Sequence, residues 1–178
     1  MKTWVTSDIH FSHTNILKFC ADSRPFHDIA EMNTAIINNH NSVVGYDDLV
    51  YILGDIAFTD AISASRLLNR MNGKKILIKG NHDVKLLRDQ TFKNCFAEIH
   101  EYLELGYKEF RIVLFHYPIW EWDMMHRGAL HFHGHCHARP TGVPGRILDV
   151  SMDGNNCFPY SMDEAVQLAM KKIVRSHH

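Results

Sequence analysis

The sequence lacks a strong charge of either sign, and this absence limits the partners that the protein can have. Its 178 residues include 19 Lys and Arg residues against 20 Asp and Glu residues, so the formal net charge is −1. This balance argues against a broad basic surface, and no duplex nucleic acid is expected as a partner. The hydrophobic fraction of 46% also argues against a disordered tail.

The sequence also lacks closely spaced cysteines and a long apolar run. The four cysteines are scattered along the chain: Cys20, Cys95, Cys136 and Cys157. Their spacing favours a reduced, cytoplasmic protein, although an even number leaves disulfide bonds open. No apolar run approaches the length of a membrane span, so no membrane partner is expected. A strand-like segment begins almost at the N-terminus, and we therefore expect no signal peptide.

The length of the chain favours a single domain, which we place at residues 1–175. The last three residues, 176–178, resemble the end of an affinity tag and are left out of the chemistry. Apolar runs predict strands at 4–7, 49–53, 75–79, 99–105, 110–115, 131–137 and 147–150, and helices at 30–43, 62–71 and from 161 onwards. Residues 99–105 and 110–115 are typical of a β-hairpin, whereas the earlier strands alternate with helices. This order indicates a mixed α/β fold.

Five predicted strands end in polar residues that can bind a metal ion or a phosphate. These residues are Asp8 and His10, then Asp55, then Asn81, His82 and Asp83, then His116, and finally His135 and His137. The carboxyl ends of strands gather along one edge of an α/β sheet, where ligands bind. A mixed set of oxygen and nitrogen ligands suits manganese, iron or zinc. The set is too large for one ion with an open position, but it fits two ions that share a carboxylate.

One stretch concentrates the histidines. His131, His133, His135 and His137 alternate with other residues, so on an extended strand all four imidazoles would point to one face. The alternation alone predicts a single cluster of four metal ligands.

The ordered motifs resemble those of the calcineurin-like metallophosphoesterases. The resemblance covers residues 5–153 and is carried by Asp8-x-His10, Gly54-Asp55, Gly80-Asn81-His82-Asp83, His116 and Gly134-His135-x-His137. Residues 11–16 and 24–26 are similar to a small bacterial and phage subgroup of the same family. The resemblance implies a four-layer α/β/β/α sandwich, in which two mixed β-sheets are flanked by helices.

The resemblance also implies a centre of two divalent metal ions. Asp8, His10, Asp55 and His137 would hold one ion, and Asp55, Asn81, His116 and His135 would hold the other. A hydroxide shared by the two ions would then attack phosphorus in line, and His82 would assist as a proton or hydrogen-bond donor. Manganese is the preferred ion, with iron, zinc, nickel and cobalt as alternatives. In this scheme His133 becomes a neighbour of the ligands and His131 a structural residue.

The chain departs from the family pattern at two positions. Phe58 and Thr59 stand where protein phosphatases and dinucleoside polyphosphate hydrolases of the family carry an Asp-Arg pair, so the carboxylate that would orient His82 is missing. Asp83 and Asp60 are both candidates for that role. His13, Arg24 and His133 are candidates for binding the substrate, and Arg24 would supply the missing grip on phosphate. We expect substrate specificity to come from residues 11–30 and 117–130.

The resulting functional hypothesis is a metal-dependent phosphoesterase. The preferred substrate is the phosphodiester, rather than the phosphomonoester, of a small nucleotide-like molecule. A nuclease or an RNA-end-processing phosphoesterase is the alternative. A scaffold that binds metal without catalysis is a third reading, against which the complete set of ligands argues.

Overall fold

Two mixed β-sheets form the centre of the structure, a computed structural model that describes residues 1–175. The first sheet has the strand order β4-β3-β2-β1-β9 and the second has the order β5-β6-β7-β8. The strands are β1 (Thr3–Thr6), β2 (Leu49–Ile52), β3 (Lys74–Ile78), β4 (Glu98–His100), β5 (Tyr102–Tyr107), β6 (Phe110–Phe115), β7 (Leu130–His133), β8 (Ile147–Asp149) and β9 (Tyr160–Ser161). The segment expected to be a tag remnant, 176–178, lies outside the described residues.

Each sheet combines parallel and antiparallel pairs. Strands β1 to β4 are parallel, and β9 joins β1 in the antiparallel direction. In the second sheet, β5 and β6 form the antiparallel pair, whereas β6, β7 and β8 are parallel. The α/β class with two mixed sheets flanked by helices is therefore confirmed.

Within residues 1–175, five α-helices flank the sheets. They are α1 (Ile16–Phe19), α2 (Ile29–Val43), α3 (Ala61–Leu68), α4 (Gln90–Lys93) and α5 (Met162–Met170). The side chain of Asp28 accepts the Glu31 N–H at the start of α2. At the start of α5, Ser161 accepts the N–H of Glu164, as the spacing of these two residues predicts. No helix within residues 1–175 is both long enough and apolar enough to span a bilayer.

The hydrophobic core lies in two main layers. Helices α2 and α3 pack on one face of the first sheet, with Met32, Ile36 and Leu68 fully buried there. The second layer lies between the sheets, where Ile112 and Leu114 of β6 point inward. Because β1 to β3 are parallel, as are β6 to β8, the carboxyl ends of the strands in each sheet, with the polar residues that follow them, lie along one edge.

Two predicted strands were wrong in extent. The segment 99–105 is two strands, because β4 pairs with β3 in the first sheet and β5 pairs with β6 in the second, with Glu101 between them. The apolar pattern continues through the crossover, so it does not reveal the break. The strand 131–137 ends at His133, because His135 and His137 have φ angles of 67° and 52°. Left-handed backbone cannot continue a strand, and the four histidines therefore do not share one face.

His40 is a buried titratable group far from the strand ends. It lies on α2 and is fully buried, and its Nε2–H donates to the carbonyl of Asn72 at 2.9 Å. Burial lowers the pKa of His40 to about 4, and the nearby Lys75 acts in the same direction. The imidazole therefore stays neutral in the folded protein at pH values where the unfolded chain already takes up a proton.

Replacement of His40 by Gln tests this reading. A histidine with a lowered folded pKa makes no pH-dependent contribution above about pH 6.5, and it reduces stability as the pH falls from 6.5 towards 4. Gln keeps an N–H for Asn72 but cannot be protonated. Between pH 7.5 and 4.5 the wild type should lose on the order of 2 to 3 kcal/mol more unfolding free energy than His40→Gln. Urea unfolding at both pH values measures this difference, and equal losses would contradict the assignment.

Candidate metal centre

The strand ends bring the seven expected metal ligands together. Six of them form two groups in which the ligand atoms lie within 4.8 Å of one another: Asp8, His10 and His137 in the first group, and Asp55, His116 and His135 in the second. Asn81 joins the second group, because its Oδ1 lies 2.9 Å from His116 Nε2. The centre is thus built from both sheets.

The two aspartates are held in the same way. Asp8 Oδ2 accepts the backbone N–H of His135 at 2.9 Å, and Asp55 Oδ1 accepts the backbone N–H of His82 at 3.0 Å. The other oxygen of each carboxylate faces the imidazoles. Asp8 Oδ1 is 3.7 Å from His10 Nε2 and 3.8 Å from His137 Nε2. One oxygen therefore fixes the side chain, and the other points into the centre.

Asp55 lies between the two ligand groups. Its Oδ2 is 3.8 Å from His10 Nε2 in the first group and 3.6 Å from His116 Nε2 in the second. A carboxylate in this position can contact both groups at once.

Hydrogen bonds at Nδ1 orient two of the imidazoles. Nδ1–H of His116 donates to the carbonyl of Leu53 at 2.6 Å, and Nδ1–H of His137 donates to Asp153 Oδ2 at 2.7 Å. Nε2 of each ring is then left with a lone pair that points towards the carboxylates. Donation from the second ring nitrogen to an oxygen is the usual arrangement of histidines that bind metals.

The donor atoms fit divalent metal ions. Asp8 Oδ1 and His10 Nε2 are buried and have no hydrogen-bond partner among the described residues, which would be costly without a bound ligand. Two ligands that each lie about 2.1 Å from a tetrahedral ion are roughly 3.4 Å apart, close to the separations of 3.6 to 3.8 Å found here. The residues present can therefore hold the metal ions.

The backbone at the ligands has an uncommon conformation. Five of the seven expected ligands have positive φ angles: Asp8 at 54°, His10 at 55°, Asp55 at 56°, His135 at 67° and His137 at 52°. Non-glycine residues rarely adopt this region, and such strain clusters at functional sites. Gly134 packs directly against Ser7 and Asp8, where a Cβ atom would overlap both side chains.

Burial and neighbouring charges act in opposite directions on the pKa values in the first group. Burial raises the pKa of Asp8, but His10 and His137 outweigh it, and the net pKa is lowered. Burial lowers the pKa of His10, which favours the neutral imidazole that a metal needs. Burial also lowers the pKa of His137, but the hydrogen bond to Asp153 and the charges of Asp8 and Asp153 together outweigh it, and the net pKa is raised. A more basic imidazole is a stronger ligand.

Arg24 does not lie where a residue that grips substrate phosphate must lie, and this expectation is corrected. Its side chain is fully buried: Nη2 forms an ion pair with Asp153 at 2.8 Å and also donates to the carbonyl of Asp8, and Nη1 donates to the carbonyl of Ile9. All its donors are therefore directed into the protein. Through Asp153, Arg24 orients His137 instead.

Asp153 is a functional residue that our sequence analysis missed. Its carboxylate receives hydrogen bonds from Ser23, Arg24 and His137. Burial raises its pKa, but these hydrogen bonds dominate and hold the pKa well below the usual range. Its position just after strand β8 was the available signal, since the other acidic ligands also follow strands.

The remaining histidine candidates occupy different environments. His133 is buried, its Nδ1–H donates to the carbonyl of Gly134, and it groups with Cys136 and Asp149 rather than with the seven ligands. His133 also lines a cavity with Arg139 and Lys172, so its part in binding substrate stays a prediction. His131 is buried and lies within hydrogen-bond distance of the carbonyls of Val113 and Tyr117.

His13 lies at the edge of the centre. Its Nδ1 is 3.1 Å from Nδ1 of His10, and its ring stacks on Phe58 with a centroid distance of 3.8 Å. Burial lowers the pKa of His13 to about 4, and His10 contributes in the same direction. The ring is therefore neutral near pH 7, and it forms part of an aromatic surface next to the ligands.

Neither carboxylate proposed to orient His82 does so. Asp83 is buried and accepts the backbone N–H groups of Gly80, Asp55 and Ile56, so it ties two ligand loops together. Asp60 caps helix α3 by accepting the N–H of Ser63. His82 instead packs against the ring of Phe58, at a centroid distance of 4.5 Å. The aromatic ring thus occupies the place of the missing carboxylate.

Two cavities border His82 and Phe58. The first, which we call the basic cavity, has a volume of about 610 Å³ and is also lined by Asn81, Lys85 and Arg88. The second, which we call the apolar cavity, has a volume of about 590 Å³ and is also lined by His13, Ile16, Phe19 and Arg139. Residues 117–130 line neither cavity. Tyr117 packs against His116 and His135, so a part for this segment in specificity stays a prediction beside segments 13–20, 57–59 and 84–88.

The comparison with known proteins agrees with this geometry. The family model of the calcineurin-like phosphoesterases matches residues 1–161. The chain belongs to the calcineurin-like phosphoesterase family. Membership supports a hydrolase of phosphate esters, and it implies divalent metal ions as cofactors.

Individual relatives cover nearly the whole chain. The uncharacterized protein MJ1445 of Methanocaldococcus jannaschii is 36% identical, over 98% of this chain and 96% of that protein. The Gene 66 protein of Mycobacterium phage D29 is 30% identical, over 84% of this chain and 87% of the phage protein. The crystal structure of AQ665 from Aquifex aeolicus, a protein of unknown function, superposes with a TM-score of 0.74 at 27% identity, over 94% of this chain and 98% of that one.

Replacement of Asp153 tests its role in positioning His137. Asp153→Asn removes the negative charge that orients the imidazole, and we expect about 10- to 100-fold weaker manganese binding. Isothermal titration with Mn²⁺ measures the affinity. Asp163→Asn is the matched control, because Asp163 is an exposed carboxylate paired with Lys108. Equal affinity in the Asp153 and Asp163 variants would contradict the role.

A double variant separates positioning from stability. Asp153→Asn alone leaves the buried Arg24 charge unpaired, which costs about 3 to 5 kcal/mol in comparable pairs. Arg24→Met together with Asp153→Asn removes both charges and should restore much of that stability. Metal affinity should stay weak in the double variant, because His137 still lacks its carboxylate. Recovery of affinity together with stability would show that Asp153 acts only on folding.

Proposed function

We propose that the protein hydrolyses a phosphodiester of a small, nucleotide-like molecule at a centre of two divalent metal ions. The observation that carries this proposal is the position of Asp55 Oδ2, which is 3.8 Å from His10 Nε2 and 3.6 Å from His116 Nε2. An oxygen between two groups of ligands can serve two cations. A mononuclear site would not need this shared position.

Each ligand group would hold one ion. The first ion would be held by Asp8, His10, His137 and Asp55, and the second by Asp55, Asn81, His116 and His135. When bound, two such ions supply an activated water and neutralise charge on the phosphoryl oxygens. We propose manganese, because the donors are nitrogen and oxygen atoms. Iron, zinc, nickel and cobalt suit the same donors.

His82 is the residue that we propose as proton or hydrogen-bond donor. Its side chain is 46% exposed, and its Nε2 lies 3.9 Å from Asp55 Oδ2, so it faces the ligands and remains accessible to a substrate. Hydrolysis adds the hydroxyl group of water to phosphorus and breaks the bond to the ester oxygen, which then takes a proton. An imidazole at this position can donate that proton or bind the phosphoryl oxygens.

The surroundings of His82 favour a diester over a monoester. The Phe58 and His82 rings line two cavities, which leaves room for two ester groups. A monoester would need only one of them. The absence of an Asp-Arg pair at Phe58 and Thr59 also argues against a protein phosphatase.

The composition of the chain supports a small substrate and a cytoplasmic location. The net charge of −1 supports a small substrate rather than duplex nucleic acid. The four cysteines are free thiols, which supports a reduced, cytoplasmic environment. A nuclease that acts on single-stranded ends is the alternative function, and the 62% exposed Phe19 beside the centre favours it, because exposed aromatic rings stack on bases.

Hydrolysis of bis-p-nitrophenyl phosphate with added Mn²⁺ tests the proposed reaction. We expect turnover by the wild type and a loss of more than about 100-fold in kcat for Asp55→Ala, because both ligand groups lose a donor. Asp47→Ala, at an exposed position outside the centre, is the control. A pure wild type that stays inactive with manganese and the alternative ions would overturn the proposal.

A graded histidine series tests the assignment of ligands. His135→Ala and His137→Ala should each abolish most activity, because each removes a donor from one group. His133→Ala should cost less, and His131→Ala should lower the melting temperature more than kcat, because His131 bonds only to backbone groups. Steady-state kinetics and thermal unfolding of the same samples separate these effects. Equal losses of kcat at all four positions would show that the assignment is wrong.

A further inference from the structure

The rings of Phe58 and His82 form a ridge between two chemically different cavities. Their centroids are 4.5 Å apart, and both residues line the basic cavity and the apolar cavity. A phosphodiester that reacts beside His82 can therefore place one ester group in each cavity. The two cavities then select what those groups can be.

The apolar cavity suits a planar aromatic group. Phe19 is 62% exposed on its wall, although burial of such a ring is normally favourable. Next to it, His13 stacks on Phe58 with an interplanar angle of 11°, and Phe19 meets His13 edge to face. The cavity volume of about 590 Å³ is within the usual range for small-molecule sites. Exposed rings of this kind bind nucleobases by stacking.

The basic cavity suits a second anionic group. Lys85 and Arg88 line it beside His82, and both are exposed. Within residues 1–175, neither side chain forms a hydrogen bond or an ion pair, whereas Lys79, Lys108 and Arg111 are each paired with a carboxylate. Two adjacent cations without partners are available to bind a phosphate.

We propose that the substrate is a nucleotide phosphodiester that carries a further phosphate. The base occupies the apolar cavity, the scissile phosphodiester lies beside His82, and the further phosphate binds Lys85 and Arg88. This inference rests on the proposed diesterase function and names its substrate class. A 5′-phosphorylated oligonucleotide end and a dinucleoside polyphosphate both combine a base, a phosphate linkage that can be hydrolysed and a further phosphate.

The experiment compares diesters that differ in one phosphate. The dinucleotides dApdA and pdApdA differ only in the 5′-phosphate, and diadenosine tetraphosphate carries its extra charge in the bridge. Arg88→Gln and Lys85→Gln should each lower the ratio of kcat/KM for pdApdA over dApdA by about tenfold, because a charged hydrogen bond is lost. Arg66→Gln, an exposed arginine on α3, is the matched control and should keep the wild-type ratio. The same ratio measured with diadenosine tetraphosphate in place of pdApdA shows whether the further phosphate belongs to an oligonucleotide end or to a polyphosphate bridge.

The aromatic side is tested with Phe19→Ala. This variant should weaken binding of dApdA by about fivefold, because one stacking surface is lost. Tyr46→Ala, at an 84% exposed aromatic residue outside both cavities, is the control and should bind like the wild type. Isothermal titration of dApdA and pdApdA analogues, in which methylene groups replace the ester oxygens of the diester, measures binding without turnover.

The outcomes separate this inference from the proposed function. If bis-p-nitrophenyl phosphate is hydrolysed but all variants treat dApdA and pdApdA as the wild type does, the inference is wrong and the diesterase function stands. If no diester is hydrolysed, the diesterase function is wrong, and wild-type affinity for pdApdA in Arg88→Gln would refute the binding assignment as well. Weaker pdApdA binding in Arg88→Gln and Lys85→Gln, but not in Arg66→Gln, supports the assignment of Lys85 and Arg88 to the further phosphate.

Discussion

The metal centre depends on backbone N–H groups that each hold one oxygen of an aspartate. The N–H of His135, from the second sheet, binds Asp8 of the first sheet at 2.9 Å, and the N–H of His82 binds Asp55 at 3.0 Å. These bonds fix each carboxylate before any ion binds, and they connect turns that are distant in the sequence. A shift of one sheet against the other would move both groups of ligands at once. The geometry of the centre is therefore a property of the packing between the sheets.

The buried Arg24 supports the ligand turns from the interior of the protein. Its ion pair with Asp153 lies beneath His137, and its remaining donors hold the carbonyls of the first ligand turn. Burial of an arginine and an aspartate is unfavourable unless both are fully paired. Here the pairing satisfies the guanidinium and orients an imidazole. The same contact thus contributes to the fold and to the centre.

The strand ends and the clustering of the expected ligands were predictable, whereas the contacts that hold them were not. Asp8, Asp55 and His116 follow apolar runs, so local patterns place them at one edge of a sheet. The pairing of Arg24 with Asp153 joins positions 129 residues apart, and no local pattern encodes it. The alternation after His131 predicted a longer strand, because side-chain spacing carries no information on the left-handed φ angles of His135 and His137. Phe58 was recognised only as a missing carboxylate, and its contact with His82 depends on tertiary packing.

Two thiols lie next to the ligands, and their surroundings lower their reactivity. Cys20 groups with His137 and Asp153, and Cys136 groups with His133 and Asp149. Burial, together with the neighbouring carboxylates, raises the pKa of Cys20 to about 11 and raises that of Cys136 as well. The thiolate is the form that binds soft ions and reacts with oxidants. The raised pKa values favour the protonated thiols, which react more slowly with oxidants than thiolates do, so two sulfur atoms lie beside the ligands in their less reactive form.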